Sequence, residues 1–215
     1  MNDEAHVLNR VRQALGRGGQ RVTPPAPPQI PDAIARLVPS TARIAEVFIQ
    51  RATEQKMTVT PTSRAELPAA VADFVRQHPI RRIAISSAAL LDGVAEALRS
   101  NFDVRRWNDM SLDELYQFDC GVTEVQYAVA EIGGLLIKPT AAHGRGLSLV
   151  PMFHVAVVET SQILPDLIDL FEKIAGDPDH SNHILIAGPS KTADIEMNVV
   201  TGVHGPNVVK VFLLP

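Results

Sequence analysis

The segment at positions 187–206 (AGPSKTADIEMNVVTGVHGP) combines residue types that bind anions with residue types that form tight turns. It follows the apolar run 184–186, which predicts a strand, and free backbone N–H groups at a helix start beyond that strand would attract an anion. The candidate anion-binding residues here are Gly188, Ser190, Lys191, Thr192 and Asp194. In a purely structural alternative, Ser190 or Thr192 caps the helical turn that Asp194 begins. Spacing alone favours the cap, because the Asp194 carboxylate would repel an anion.

A second candidate is the loop His143-Gly144-Arg145-Gly146, which follows a predicted strand ending at Lys138-Pro139. Flanking glycines let the backbone approach a ligand closely, and Arg145 could hold a carboxylate through two parallel hydrogen bonds. A flexible surface loop with a solvated arginine fits the same residues. The surroundings of His143 lack the Cys and His spacing of a zinc site, so the sequence predicts no metal site.

Two further residues could carry proton chemistry. Glu131 stands between an apolar stretch (Val125, Ala128 and Val129) and two glycines, where a helix is expected to give way to a strand. A partly buried glutamate there could act as a base or a nucleophile, or it could be a helix-end residue bonded to the backbone. His204, in the turn GVHGP at 202–206, completes the set, although a lone histidine in a turn is more often a hydrogen-bonded polar group.

Helices and strands alternate through the part of the chain that must position these residues. Strands are expected at 57–60, 82–86, 102–106, 135–137, 155–158, 184–186 and 208–214, and helices near 44–52, 88–99 and 164–174. Ser63 and Glu66 form a capping box at the start of another helix. The alternation predicts an α/β fold, with an open and mostly parallel sheet flanked by helices. Parallel sheets bind ligands at the carboxyl ends of their strands, where the candidate loops begin.

The N-terminal part has a different character. Val7, Leu8, Val11 and Leu15 recur at helical spacing, and the following stretch GRGGQRVTPPAPPQIP is rich in glycine and proline, which is typical of a linker. The sequence therefore predicts two parts, an amphipathic helix with its linker at 1–40 and an α/β domain at 41–215.

Composition excludes several classes of function. The chain has 215 residues, 46% of them apolar, and a net charge of −4 that gives no basic footprint for nucleic acid. One cysteine, Cys120, allows neither an internal disulfide nor a four-cysteine iron–sulfur cluster. No apolar stretch is long enough to span a bilayer, and the first residues do not form a signal peptide. A soluble, cytoplasmic protein without a cofactor of its own is expected.

The order of four motifs resembles the LUD domain family of lactate utilization protein C. They are GVTEVQYAVAEIGG at 121–134, GRGLSLVP at 144–151, GPSKTADIE at 188–196 and GVHGP at 202–206. The resemblance implies a fold like that of the sugar-phosphate isomerases and CoA-transferases. It also implies association with oxidation of L-lactate to pyruvate by a complex that has iron–sulfur subunits. The family's A-E-T-G-T is replaced here by a sequence with Ile132 and Gly134, and Lys191 replaces a common arginine.

Three functions follow from these observations. In all of them, the segment 187–206 is expected to form a site beside Glu131 and Arg145. In the first, the chain is a non-redox subunit that binds a small organic anion or a partner subunit. In the second, it is a self-sufficient isomerase or transferase, with Glu131 as base or nucleophile and Arg145 and Lys191 holding a carboxylate or phosphate. In the third, it is an assembly protein with a vestigial pocket. The sequence leaves open whether the chain is itself an enzyme.

Overall fold

The computed structural model describes residues 3–16, 23, 25–26, 31, 36–39, 43–175, 182–192, 200–201 and 205–215. The chain divides into two compact units, Met1–Ala35 and Arg36–Pro215. The first unit contains the predicted N-terminal helix, α1 (Asp3–Ala14), which ends one residue before the turn at Gly16. The predicted functional division after residue 40 stays a prediction.

The second unit alternates helices and strands, as the sequence predicts. Its helices within the described ranges are α2 (Ile44–Glu54), α3 (Leu67–Arg76), α4 (Asp92–Arg99), α5 (Leu112–Leu115), α6 (Gly146–Leu149) and α7 (Leu167–Ile174). Its strands there are β1 (Thr58–Pro61), β2 (Arg82–Ile85), β3 (Asp103–Arg106), β4 (Cys120–Glu124), β5 (Tyr127–Val129), β6 (Gly134–Ile137), β7 (Phe153–Glu159), β8 (Ile163–Leu164), β9 (Ile184–Ile186), β10 (Lys191–Thr192), β11 (Val200–Thr201) and β12 (Val208–Leu214).

The main sheet of the described residues has six strands in the order β1-β12-β7-β4-β2-β3, and every neighbouring pair is parallel. Because side chains alternate along a strand, the sheet has two apolar faces, each of which must be covered. One face, with Ile83, Val122 and Val155, packs against α3 and α4. The other, with Ala156 and Val211, packs against α2 and a second sheet. The predicted α/β class is therefore confirmed.

The second sheet was not predicted as a separate layer. Its order is β8-β5-β6-β9, in which β5 and β6 form an antiparallel hairpin and β9 adds to β6 in antiparallel orientation. The strands expected at 135–137 and 184–186 belong to this sheet. The helix expected before Glu131 is wrong, because β4 and β5 occupy that stretch. Val125, whose spacing suggested a helical turn, lies in the link between those two strands.

Two local features position α3 and α6. Ser63 and Glu66 exchange backbone-to-side-chain hydrogen bonds of 3.3 and 3.2 Å just before α3, so the predicted capping box is confirmed. Gly121 in β4 lies directly beneath α6, where a Cβ atom would come within 1.8 Å of the Leu147 carbonyl oxygen. This close approach seats α6, and the loop before it, on the sheet.

In the described part of the chain, none of the helices is long and apolar enough to cross a membrane.

Candidate functional site

Glu131 lies in the turn of the β5–β6 hairpin and is bonded to the start of α7. Its carboxylate accepts a hydrogen bond of 3.1 Å from the backbone N–H of Leu167, and its own N–H donates to the Pro165 carbonyl at 3.0 Å. Asp166 caps the same helix by accepting from the next two N–H groups. The positive end of α7 therefore holds the Glu131 carboxylate. This geometry corresponds to the backbone-bonded alternative, and a catalytic role for Glu131 stays a prediction.

Arg145 is exposed at the start of α6 and lines a surface cavity of about 450 Å³. The other lining residues are mostly apolar: Trp107, Met110, Leu112, Gly144, Gly146 and Leu149. Gly144 lies against the Trp107 ring, where a Cβ atom would come within 2.3 Å of ring carbon Cζ2. Arg145 forms no salt bridge with any residue in the described ranges. A cation without a partner in an apolar cavity suits a small organic anion.

The described residues at the two ends of the segment 187–206 lie near α6 and α2. Ser190 donates its backbone N–H to the Pro206 carbonyl at 2.9 Å, and Gly205 lies between Ser190 and the Leu149 carbonyl. Gly188, with φ of +99°, packs on the carbonyl oxygen of Gln55 at the end of α2. Ser190 is thus next to the helix that Arg145 begins, whereas Gly188 lies against α2.

The remaining predicted residues of this segment are only partly covered. The backbone of Lys191 and Thr192 forms β10, which pairs with β11 in a short antiparallel hairpin. Asp194, with the helical turn expected there, and His204 lie outside the described residues. A pocket shared by Arg145 and Lys191 therefore stays a prediction.

The structure also brings together residues that the sequence analysis missed. Glu124 ends β4, and Ser86 follows the neighbouring strand β2, so both lie at the carboxyl edge of the parallel sheet. After β2 the chain continues to β3, the neighbour of β2 on one side of this point. After β4 it passes through the second sheet and returns to β7, the neighbour of β4 on the other side. Ligands of open α/β sheets bind in the crevice at such a switch point. A carboxylate directly after a buried strand was the available signal, but β4 itself was not predicted.

His143 completes this group. Its Nδ1 atom lies 3.0 Å from Oε1 of Glu124, and only 2% of the residue is exposed. The loop is held in place because Ser87 donates its N–H to the Ala142 carbonyl at 2.8 Å, and Thr140 donates to the carbonyl of His143 at 2.9 Å. His143, which sequence reasoning ranked below its neighbour Arg145, thus points inward from the same loop.

The Glu124 carboxylate is charged at neutral pH. Burial raises its pKa, but the His143 ring bonded to Oε1 and the nearby Ser86 hydroxyl more than offset this, so the net pKa is below the ordinary value. Oε2 of Glu124 and Nε2 of His143 are buried and have no hydrogen-bond partner among the described residues. The pair therefore keeps hydrogen-bonding capacity that the fold does not use.

Two other buried groups do not have the properties of a reactive site. Nε2 of His154 lies 2.9 Å from the Thr123 hydroxyl, and burial lowers the pKa of His154 to about 3, so the ring is neutral. Burial raises the pKa of the Cys120 thiol, which keeps it protonated and unreactive. Within the described ranges, no group of three or more His, Cys, Asp or Glu side chains is arranged to hold a metal ion.

Comparisons with known proteins agree with this architecture. The LUD domain family model matches residues 45–214. YkgG of Escherichia coli K12 is 32% identical over 229 aligned positions, which cover 100% of this chain and 98% of that protein. Lactate utilization protein C of Deinococcus radiodurans is 29% identical, with 97% of this chain and 93% of that protein covered. A crystal structure of a DUF162 family protein from D. radiodurans superposes with a TM-score of 0.64 at 27% identity, over 82% of this chain and 99% of that one.

Proposed function

This chain belongs to the LUD domain family, and on that premise we propose that it is a non-redox subunit of a complex that oxidises L-lactate to pyruvate. Relatives that match it over nearly their whole length carry the name lactate utilization protein C. In this role the chain binds a small organic anion, and iron–sulfur subunits of the complex carry the electrons.

The observation that carries this division of labour is the state of Cys120. It is the one cysteine in the sequence, it lies in the middle of the sheet, and none of its surface is exposed. A cluster needs several accessible thiolates, which this chain does not offer. We therefore assign redox chemistry to partner subunits.

The anion site of this proposal is centred on Arg145. Its guanidinium supplies the positive charge of the cavity, and the apolar walls around it weaken competition from water. The other anion-binding residues of the proposed site come from the neighbouring segment and are Gly188, Ser190, Lys191, Thr192, Asp194 and His204.

A second candidate function is that of a self-sufficient isomerase or transferase acting on a small carboxylate or phosphate compound. The ionised Glu124 beside His143, at the switch point of the sheet, favours this candidate because such pairs transfer protons. Glu131, the base predicted from sequence, is engaged by the start of α7. The structural family alone does not decide between the two functions.

Purification of the full-length chain from its native cell, at native expression level, tests the two functions. The subunit role predicts that proteins containing iron co-purify with the chain, and that lactate oxidation by the preparation is lost when the chain is deleted. Turnover by the isolated chain without iron would favour the second candidate. A complex that needs the chain to assemble, but whose assembled form oxidises lactate after Arg145→Ala, would indicate an assembly protein with a vestigial pocket.

A further inference from the structure

The cavity beside Arg145 is larger than lactate or pyruvate requires. Its volume is about 450 Å³, which falls within the usual range of about 300–1,000 Å³ for sites that bind molecules of drug size. Lactate or pyruvate would fill only a small part of this space and would leave the remaining walls in contact with water. The cavity therefore has room for a ligand with a longer body than either acid.

The walls of the cavity are apolar apart from one cation. Its large apolar side chains are those of Trp107, Met110, Leu112 and Leu149. Among the described residues that line it, Arg145 is the one that carries a charge. Leu112 is 57% exposed and Leu149 is 41% exposed, so a ligand that covers them removes apolar surface from water. The lining therefore offers a cation for a carboxylate and an apolar surface for a hydrocarbon chain.

Close packing at two glycines holds these walls in place. A Cβ atom at Gly144 would lie 2.3 Å from Cζ2 of Trp107, and one at Gly146 would lie 2.7 Å from Cδ2 of Leu115. The backbone therefore passes directly against the indole ring on one side of Arg145 and against α5 on the other. Because the walls are positioned before a ligand arrives, binding costs less conformational entropy.

We propose that this cavity binds a monocarboxylate with an unbranched apolar chain, similar in length to hexanoate or octanoate, whose carboxylate pairs with Arg145. The chain lies along Trp107, Met110 and Leu112 and covers them from water. The carboxylate rests on the proposed function, which assigns an anion to Arg145, whereas the apolar chain rests on the volume and the lining of the cavity. Trp107 and Leu112 are then residues that determine specificity, because their surfaces favour long chains over short ones.

The first test uses the wild-type chain at full length. Trp107 is the one tryptophan in the sequence, so the intrinsic tryptophan fluorescence of the protein reports on this cavity. Butanoate, hexanoate and octanoate are titrated at equal ionic strength, below the concentration at which octanoate forms micelles. The affinity should rise roughly 3-fold for each added methylene group, because each one buries further apolar surface.

The second test uses variants that separate the charge from the apolar wall. Arg145→Ala should weaken octanoate binding roughly 10- to 100-fold and leave the binding of uncharged 1-octanol within about twofold. Leu112→Ala, at an exposed position, should weaken octanoate and 1-octanol alike, roughly 3- to 10-fold, and leave acetate within about twofold. Phe171→Ala on α7 is the matched control, because Phe171 is 58% exposed but does not line the cavity.

The outcomes separate this inference from the proposed function. An affinity that does not change with chain length, an equal loss in Phe171→Ala, or a tryptophan signal that octanoate leaves unchanged would overturn the proposal. Lactate binding as tight as that of octanoate would also overturn it, but would leave the anion site on Arg145 in place. The subunit role would be overturned instead by the absence of a co-purifying iron protein, a result that does not depend on the ligand of this cavity.

Discussion

Glu124 and Glu131 lie one short strand apart and have opposite environments. Glu131 is bonded to the first N–H of α7. Glu124 shares one oxygen with His143 and leaves the other buried without a partner in the described ranges. Buried polar atoms without a partner are exceptions in native proteins, and such exceptions concentrate at functional sites. At the scale of residues, the two glutamates therefore call for different experiments.

For Glu131 we expect a structural result. Glu131→Gln keeps an oxygen that accepts from Leu167 and loses only the charge at the helix start, so the stability should fall by about 1 kcal/mol. Lactate oxidation by the reconstituted complex should stay within a few fold of wild type. Thermal melting and activity are measured together, with the exposed Glu96→Gln as the control for charge. A loss of roughly 100- to 10,000-fold would instead identify a general base.

For Arg145 we expect a binding result. Arg145→Ala should weaken binding of lactate or pyruvate roughly 10- to 100-fold without changing the melting temperature, because a hydrogen-bonded charge is lost at an exposed position. The affinity of Arg145→Lys should lie between those of the wild type and Arg145→Ala, because lysine keeps the charge but not the planar guanidinium group that forms two parallel hydrogen bonds. Calorimetry measures the affinities, and Arg99→Ala on α4 is the control. An affinity unchanged for every bound anion would contradict this role.

His154 makes stability depend on pH. Its pKa is lowered to about 3 by burial, whereas the unfolded value is near 6.5. The unfolded chain therefore binds more protons below pH ~6.5, and the native state loses stability as the pH falls, by up to about 1.4 kcal/mol per pH unit. Urea unfolding between pH 7 and pH 4.5 should show this slope, and His154→Gln should flatten it. An equally steep slope in the variant would assign the effect to other groups.

At the scale of elements, the hairpin turn at Gly133 docks on the last turn of α2. Gly133 has φ of +61°, and a Cβ atom there would lie 2.3 Å from the Ala52 backbone nitrogen. Gly133→Ala should cost roughly 2–5 kcal/mol from backbone strain and overpacking. Gly93→Ala in α4 is the matched control: its Cβ would meet only Pro68 Cγ at 3.5 Å, so stabilisation of about 0.5–1 kcal/mol is expected. Denaturant titration compares them, and similar effects would refute this packing.

The elements also show why part of the fold could be predicted and part could not. The strand β12 and the helix α4 have strong local patterns, so sequence alone gave their type and approximate bounds. The strand β4 did not, because it is buried on both faces and carries no alternation. Missing β4 meant missing Glu124 at its end. Glu124 and His143 are 19 positions apart in the sequence, and Glu131 and Leu167 are 36 positions apart. Local residue patterns do not predict contacts between residues so far apart in the sequence.

At the scale of the whole molecule, Arg36 marks where the α/β unit begins. It forms salt bridges with Asp166, whose side chain is 1% exposed, and with Asp169. A chain shortened to start at Arg36 should melt close to the full-length protein. A chain that starts at Pro39 should lose about 1–2 kcal/mol, because buried Asp166 is left without its cation. Thermal melting of the two chains tests this, and equal midpoints would show that Arg36 contributes little.

The parallel arrangement of β12 has a consequence for how the protein is made. This strand lies between β1 and β7, and its Lys210 reaches Thr60 across 150 positions of the chain. During synthesis, β1 and α2 leave the ribosome long before the strand that ties them to the sheet exists. Contacts between residues so far apart in the sequence form slowly. Until they form, the unpaired edges of the earlier strands can pair with other chains and cause aggregation. We expect the nascent chain to depend on chaperones until residues 208–214 have emerged.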